Sequence, residues 1–94
     1  MIAKTSLWSY YALKKDNKIG KRVIEYVEAL KRFGNFGASD REVRMTIADM
    51  TGSRWELGTV SARRNDALEL GIVKERGIVK DLKTGRLVKL WKVC

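Results

Sequence analysis

At Gly71 the hydrophobic pattern of the chain changes period. Upstream, apolar residues recur at helical spacing, and downstream they sit in two short runs rich in β-branched and aromatic residues. Helices first and a single hairpin last is an α+β order. The chain has no Pro, so Gly carries the punctuation between these segments.

From Gly20 to Phe33 the residues Val23, Ile24, Val27, Leu30 and Phe33 form one stripe, with Lys21, Glu25, Glu28 and Arg32 on the other side. This spacing predicts a first helix. It stops in Gly34-Asn35-Phe36-Gly37, whose Gly and Asn residues tolerate left-handed backbone. Ser39-x-x-Glu42 is a capping box and starts a second helix, with Asp40 and Glu42 suited to the positive end of its dipole. Val43, Ile47 and Met50 are its buried stripe, and Thr51-Gly52 ends it. After the turn Ser53-Arg54-Trp55-Glu56, a third helix runs from about Leu57 to Leu70 and closes on Gly71 at the C′ position. Leu57, Val60, Ala67 and Leu68 share one side of it, and Ala62, Asn65, Asp66 and Glu69 the other. Ile72 to Lys80 and Arg86 to Val93 then read as a hairpin across the turn Asp81-Leu82-Lys83-Thr84-Gly85. Its alternation breaks around Gly77, and a bulge at Gly77 would restore the phase.

The order of elements is that of a winged helix-turn-helix: a three-helix core with a C-terminal β-hairpin wing. No internal repeat or low-complexity stretch divides the chain, so residues 19–94 are expected to form one domain and residues 1–18 an N-terminal leader.

Composition narrows the function. With no His and a single Cys, Cys94, the sequence lacks the parts for a His/Cys zinc site, a Ser-His-Asp or Cys-His pair, or an internal disulfide. Asp81-x-Lys83 with Glu75 upstream faintly suggests a metal-dependent nuclease, but no acidic partner lies on a second strand. No Walker motif surrounds Gly85. The expectation is a protein that is not an enzyme and uses no cofactor or metal. Thr5 to Leu13, the longest uncharged stretch, is too short and polar for a membrane span or signal peptide, so no membrane role and a cytoplasmic location are expected.

Lys and Arg number 20 against 11 Asp and Glu, for a formal charge of +9. A short chain this basic commonly meets an anionic partner. By segment, residues 1–18 carry +3, 19–37 carry +2, 38–58 carry −1, 59–71 carry 0 and 72–94 carry +5. The excess lies on the wing and leader, and the third helix is neutral.

Several stretches add a resemblance. Ser39 to Val43 leading to Thr51-Gly52, the run Thr59-Val60-Ser61-Ala62-Arg63-Arg64-Asn65-Asp66, the junction Leu70-Gly71-Ile72-Val73, and Thr84-Gly85-Arg86 leading to Leu90-Trp91 resemble small winged-helix proteins of phages and prophages, related in fold to the MarR superfamily. The leader, with Thr5-Ser6 and Tyr10-Tyr11, is similar to that group as well. Arg64 departs from its pattern, where an aliphatic residue is usual. The Arg64 stem is therefore expected on the core with its head at a rim.

The expected function is non-enzymatic binding of double-stranded DNA by a small transcriptional regulator of phage or mobile-element origin. Lys74, Arg76, Lys80, Lys83 and Arg86 would neutralise phosphates. Thr59, Ala62, Arg63 and Asn65 would meet base edges in the major groove, since Arg suits guanine, Asn adenine and the Ala methyl thymine. Arg54 and Trp55 are placed to touch backbone, and Lys83 or Arg86 to enter a narrow minor groove. Each has a structural alternative. The basic hairpin could be only an edge protected by charge, Arg63 could pair with Asp66 or Glu69, and Trp55 and Trp91 could be core plugs. The aromatic leader, with Leu7, Trp8, Tyr10, Tyr11 and Leu13, either packs on its own domain or makes a homodimer seam. Met45, opposite the second helix's stripe, would be a further contact if exposed. The acidic Asp66 and Glu69 motivate a rival: a winged-helix interaction module, such as an antirepressor or an anti-CRISPR-like inhibitor of a host machine.

Overall fold

The capping box forms as the sequence predicts. The Glu42 amide donates to Ser39 Oγ at 3.3 Å, and the Ser39 amide donates to Glu42 Oε1 at 3.0 Å. The computed structural model that shows this describes residues 10–17 and 19–94. Their order is a helix at residues 10–15 (α1, as far as it is described), α2 Lys21–Lys31, a 3-10 turn Gly34–Phe36, α3 Asp40–Thr51, α4 Leu57–Glu69, β1 Val73–Lys80 and β2 Leu87–Val93. The three helices expected from the sequence are α2, α3 and α4. The class is α+β, with helices followed by one antiparallel hairpin.

α2 is the centre of the core. Val23, Tyr26, Val27, Ala29 and Leu30 are buried on it, against Val43 and Ile47 of α3, Val60 and Ala67 of α4, and Ile72, Val73 and Trp91 of the hairpin region. The buried arc is wider than the predicted stripe because α3, α4 and β2 all touch this helix. Phe33 and Ile24 are pushed to the core margin, and Tyr26 and Ala29 are taken inside instead.

The predicted end of α4 appears in full. Gly71 has φ +73°, its amide donates to the Leu68 carbonyl at 3.0 Å, and the Ile72 amide reaches the Ala67 carbonyl at 3.0 Å. These two bonds are a Schellman cap, which turns the chain out of the helix into β1.

In the hairpin, Glu75 pairs with Trp91 and Gly77 with Leu90, so the extra residue is Arg76 rather than Gly77. The sequence expectation is off by one position. Arg76 leaves the ladder and its Nε donates to the Asn35 carbonyl at 3.3 Å, which gives the displaced residue a partner.

The other edge of β2 is also occupied. Ala38, just before α3, exchanges both backbone bonds with Trp91 at 2.9 Å. The Trp91 ring is buried and serves as the hairpin's anchor. Trp55 is buried too, with the Arg22 guanidinium 5.3 Å above its ring, so both tryptophans take the core-plug role. Gly37 makes the close approach possible. Its φ is +73°, and a Cβ there would lie 2.7 Å from the Trp91 carbonyl oxygen that accepts from Ala38.

The described part of the leader folds back on α2. Tyr10 is fully buried, and its hydroxyl donates to Glu28 Oε2 at 2.6 Å. Lys31 Nζ donates to the Tyr11 hydroxyl at 2.8 Å, and Lys14 lies 3.5 Å from Glu28. Leu7 and Trp8 lie outside the described residues.

Two outcomes follow. Gly37→Ala combines positive-φ strain with a clash against backbone, whereas Gly34→Ala carries the strain alone (φ +56°) with nothing within 4 Å. Gly34→Ala should cost about 1 to 2 kcal/mol and Gly37→Ala distinctly more, compared by urea unfolding. Burial works to raise the Glu28 pKa, but the Tyr10 hydroxyl, Lys31 and Lys14 outweigh it and hold the carboxyl below its ordinary 4.5. A depressed folded pKa contributes stability that is present above that ordinary value and lost as pH falls through the folded one. Leader docking should therefore weaken in acid below about pH 4.5 and not near neutrality. Amide exchange at Tyr10 would show it, and Glu28→Gln should remove the acid dependence.

Candidate nucleic-acid interface

Three surfaces present the basic residues singled out above. The first is the turn into α4. Arg54 is exposed there, and Arg44 of α3 stands beside it around a depression of about 410 Å³ completed by Trp55, Glu56, Leu57 and Gly58. The cap residue Glu56 makes no side-chain bond to the helix start, and Leu57 and Gly58 of the first turn line the same depression.

On α4 itself, Thr59, Ala62 and Arg63 are half-exposed and Asn65 is exposed. Arg63 is in an ion pair, Nε to Asp66 Oδ2 at 2.9 Å, as its structural alternative expects. Contact with a base would require it to leave Asp66. Exposed pairs of this kind are worth only a few tenths of a kcal/mol, so the exchange is cheap.

The second surface is the tip of the hairpin. Lys80, Lys83 and Arg86 are exposed, and none has an ion-pair partner among the described residues. The Asp81 carboxyl between them is turned to the backbone and accepts the Lys83 amide at 2.9 Å, which holds it below the usual carboxylate range. The third surface is the hairpin base. Lys74 lies opposite Lys92, whose Nζ donates to Asn35 Oδ1 at 2.9 Å, and Arg76 is held on the Asn35 carbonyl. The ten predicted residues are thus divided: Lys74 and Arg76 belong with Asn35 at the base, apart from the tip cations.

Between α4 and the hairpin runs a groove of about 630 Å³, with Leu57, Ser61, Arg64 and Asn65 on one wall and Leu87, Lys89 and Trp91 on the other. At its floor the Arg64 guanidinium pairs with Asp40 and lies 4.5 Å above the Trp91 ring. Ser61 Oγ donates to the same Asp40 carboxylate at 2.7 Å. The stem of Arg64 is inside, as the sequence predicts, whereas its head is held at the floor of the groove on Asp40 and Trp91 rather than at a rim. The Tyr26 hydroxyl lies buried beside this group and its pKa is pushed up, first by burial and then by the Asp40 charge.

Arg41 and Arg44 are the residues that sequence reasoning missed. Segment 38–58 sums to −1, which hides them, because its carboxylates Asp40 and Glu42 are turned inward to Arg64 and to the helix cap. The signal was their i, i+3 spacing, which places both on one face of α3. Arg41 lines the grooves on both sides of the hairpin. No family model, curated protein or solved structure matches the chain.

Arg64→Ala leaves Asp40 with only Ser61 as side-chain donor among the described residues and should cost about 1 to 3 kcal/mol. A double-mutant cycle with Asp40→Ala should return a coupling of about 1 kcal/mol or more by urea unfolding.

Proposed function

We propose that this chain is a winged helix-turn-helix protein that binds double-stranded DNA without catalysis, as a small transcriptional regulator of phage or mobile-element type. One observation carries the reading. A nearly neutral helix, α4, is flanked at its start by Arg44 and Arg54, and the hairpin that walls its groove ends in Lys80, Lys83 and Arg86, all without ion-pair partners among the described residues. In this reading α4 enters the major groove N-terminus first, with Thr59, Ala62 and Asn65 toward base edges. The flanking cations hold phosphates on either side, supplying affinity without sequence information. Asp66 and Glu69 limit entry to the first turns of α4. A homodimer would suit two-fold half-sites, and Tyr11 of the leader is exposed for such a seam, whereas Tyr10 is committed to its own domain.

A second reading rests on a different surface. On the opposite side of the hairpin, Met45, Val79, Val88 and Leu90 line a groove of about 460 Å³ with Arg41, Lys80 and Lys83 at its rim. Met45 and Val79 are exposed, which favours a protein-binding module. A host protein retained on the chain after nuclease treatment would support that reading over DNA.

For the DNA reading, about six phosphate contacts correspond to a log-log salt slope of roughly −5. Fluorescence anisotropy on a duplex between low and moderate salt should return that slope. Absence of binding at low salt would overturn the proposal.

A further inference from the structure

The point of the hairpin is apolar. Leu82 has 94% of its surface exposed, the highest value among the exposed large apolar residues described, and Leu87 beside the turn has 75%. Full burial of a Leu is worth about 1.5 to 3 kcal/mol, so this position forgoes a gain available to a core residue. Single exposed leucines are common and need no explanation by themselves. Three features set this one apart.

Leu82 is held by a closed turn. The Asp81 amide donates to the Arg86 carbonyl at 2.8 Å and the Gly85 amide to the Asp81 carbonyl at 2.7 Å, with Gly85 at φ +73°. Asp81 Oδ1 accepts the Lys83 amide, and Thr84 Oγ1 accepts the Arg86 amide at 3.3 Å. The amides of Asp81, Lys83, Gly85 and Arg86 are thus held within the turn, and Leu82 projects from a closed loop. Next, Lys80, Lys83 and Arg86 surround it in sequence, all exposed and without ion-pair partners among the described residues. Last, the turn's carboxylate, Asp81, is held on the Lys83 amide and faces three cations, so the tip keeps a positive excess.

An apolar point set among cations matches the chemistry of a stacked, charged polymer: phosphates outside and base faces within. Proteins that kink DNA use this combination, with a Leu, Ile, Phe or Met side chain between base pairs and cations on the flanking phosphates. We propose that Leu82 is a wedge that enters the minor groove of duplex DNA, partly unstacks one base step and bends the duplex. The proposal rests on the DNA reading above and adds to it a mode of recognition. Because TA and CA steps unstack most readily, the wing selects sequence by deformability, without a hydrogen bond to any base.

The test uses the full chain with two duplexes of equal length, one containing several TA steps and one lacking TA and CA steps, each end-labelled for energy transfer. A third duplex carries 2-aminopurine beside a TA step. Wild type should prefer the TA duplex by about threefold to tenfold, shorten its end-to-end distance and brighten the 2-aminopurine. Leu82→Ala, at an exposed position, should keep its fold, checked by circular dichroism, and keep the salt slope while losing all three effects. Lys83→Ala should lower the salt slope by about one and retain the 2-aminopurine signal. Binding by wild type with no bend, or bending that persists in Leu82→Ala, would overturn the wedge while leaving the DNA reading in place. No binding of either duplex at low salt would overturn the DNA reading and the wedge with it.

Discussion

The structure depends on one junction, where Trp91 meets Ala38 and Arg64. The Trp91 backbone exchanges two hydrogen bonds with Ala38, and its ring lies under the Arg64 guanidinium, which pairs with Asp40. Four segments end up in one place: the loop before α3, the first turn of α3, the middle of α4 and the centre of β2. A hairpin alone is marginal in water, and this one is supported by the helical core through Trp91 together with Val73 and Val93. The Gly37 backbone conformation is the condition for the approach, since any side chain there would displace the Trp91 carbonyl.

Through this junction, packing and charge become linked. Asp40 helps start α3 by its place at the helix N-terminus, and the same carboxylate accepts from Ser61 and pairs with Arg64 on α4. Neutralising those charges among themselves leaves other cations outward. Arg41 and Arg44 on α3, Arg54 in the turn and Lys80, Lys83 and Arg86 on the hairpin then remain without ion-pair partners among the described residues. These cations lie on elements other than α4, so under the proposed DNA reading affinity and sequence choice are separable by mutation.

Local signals in the sequence were read correctly where the physics is local. The Ser39-Glu42 box, the Gly71 cap and the Gly52 stop each involve groups within five residues of one another, and each formed as expected. The extra residue is Arg76 and not Gly77, because the distant Asn35 carbonyl that receives Arg76 outweighs the local backbone permissiveness of glycine. The inward stem of Arg64 followed from its place among apolar residues; the partner that draws its head to the groove floor, Asp40, is 24 positions away and has no local signature. Arg41 and Arg44 were lost in a segment sum because net charge does not say which charges face inward.

From the sequence alone came the α+β class, the order of three amphipathic helices and a hairpin, the caps that bound them and the lack of His/Cys site chemistry. These follow from periodicity, propensity and composition, which act over a few residues at a time. Tertiary structure alone decided that β2 is paired on both edges, that Tyr10 docks on Glu28, that Arg64 reaches Asp40, and that Lys74 and Arg76 stand apart from the tip cations. Those outcomes depend on which side chains meet across long stretches of chain, and that is settled by packing against α2 and Trp91 rather than by any neighbour in sequence.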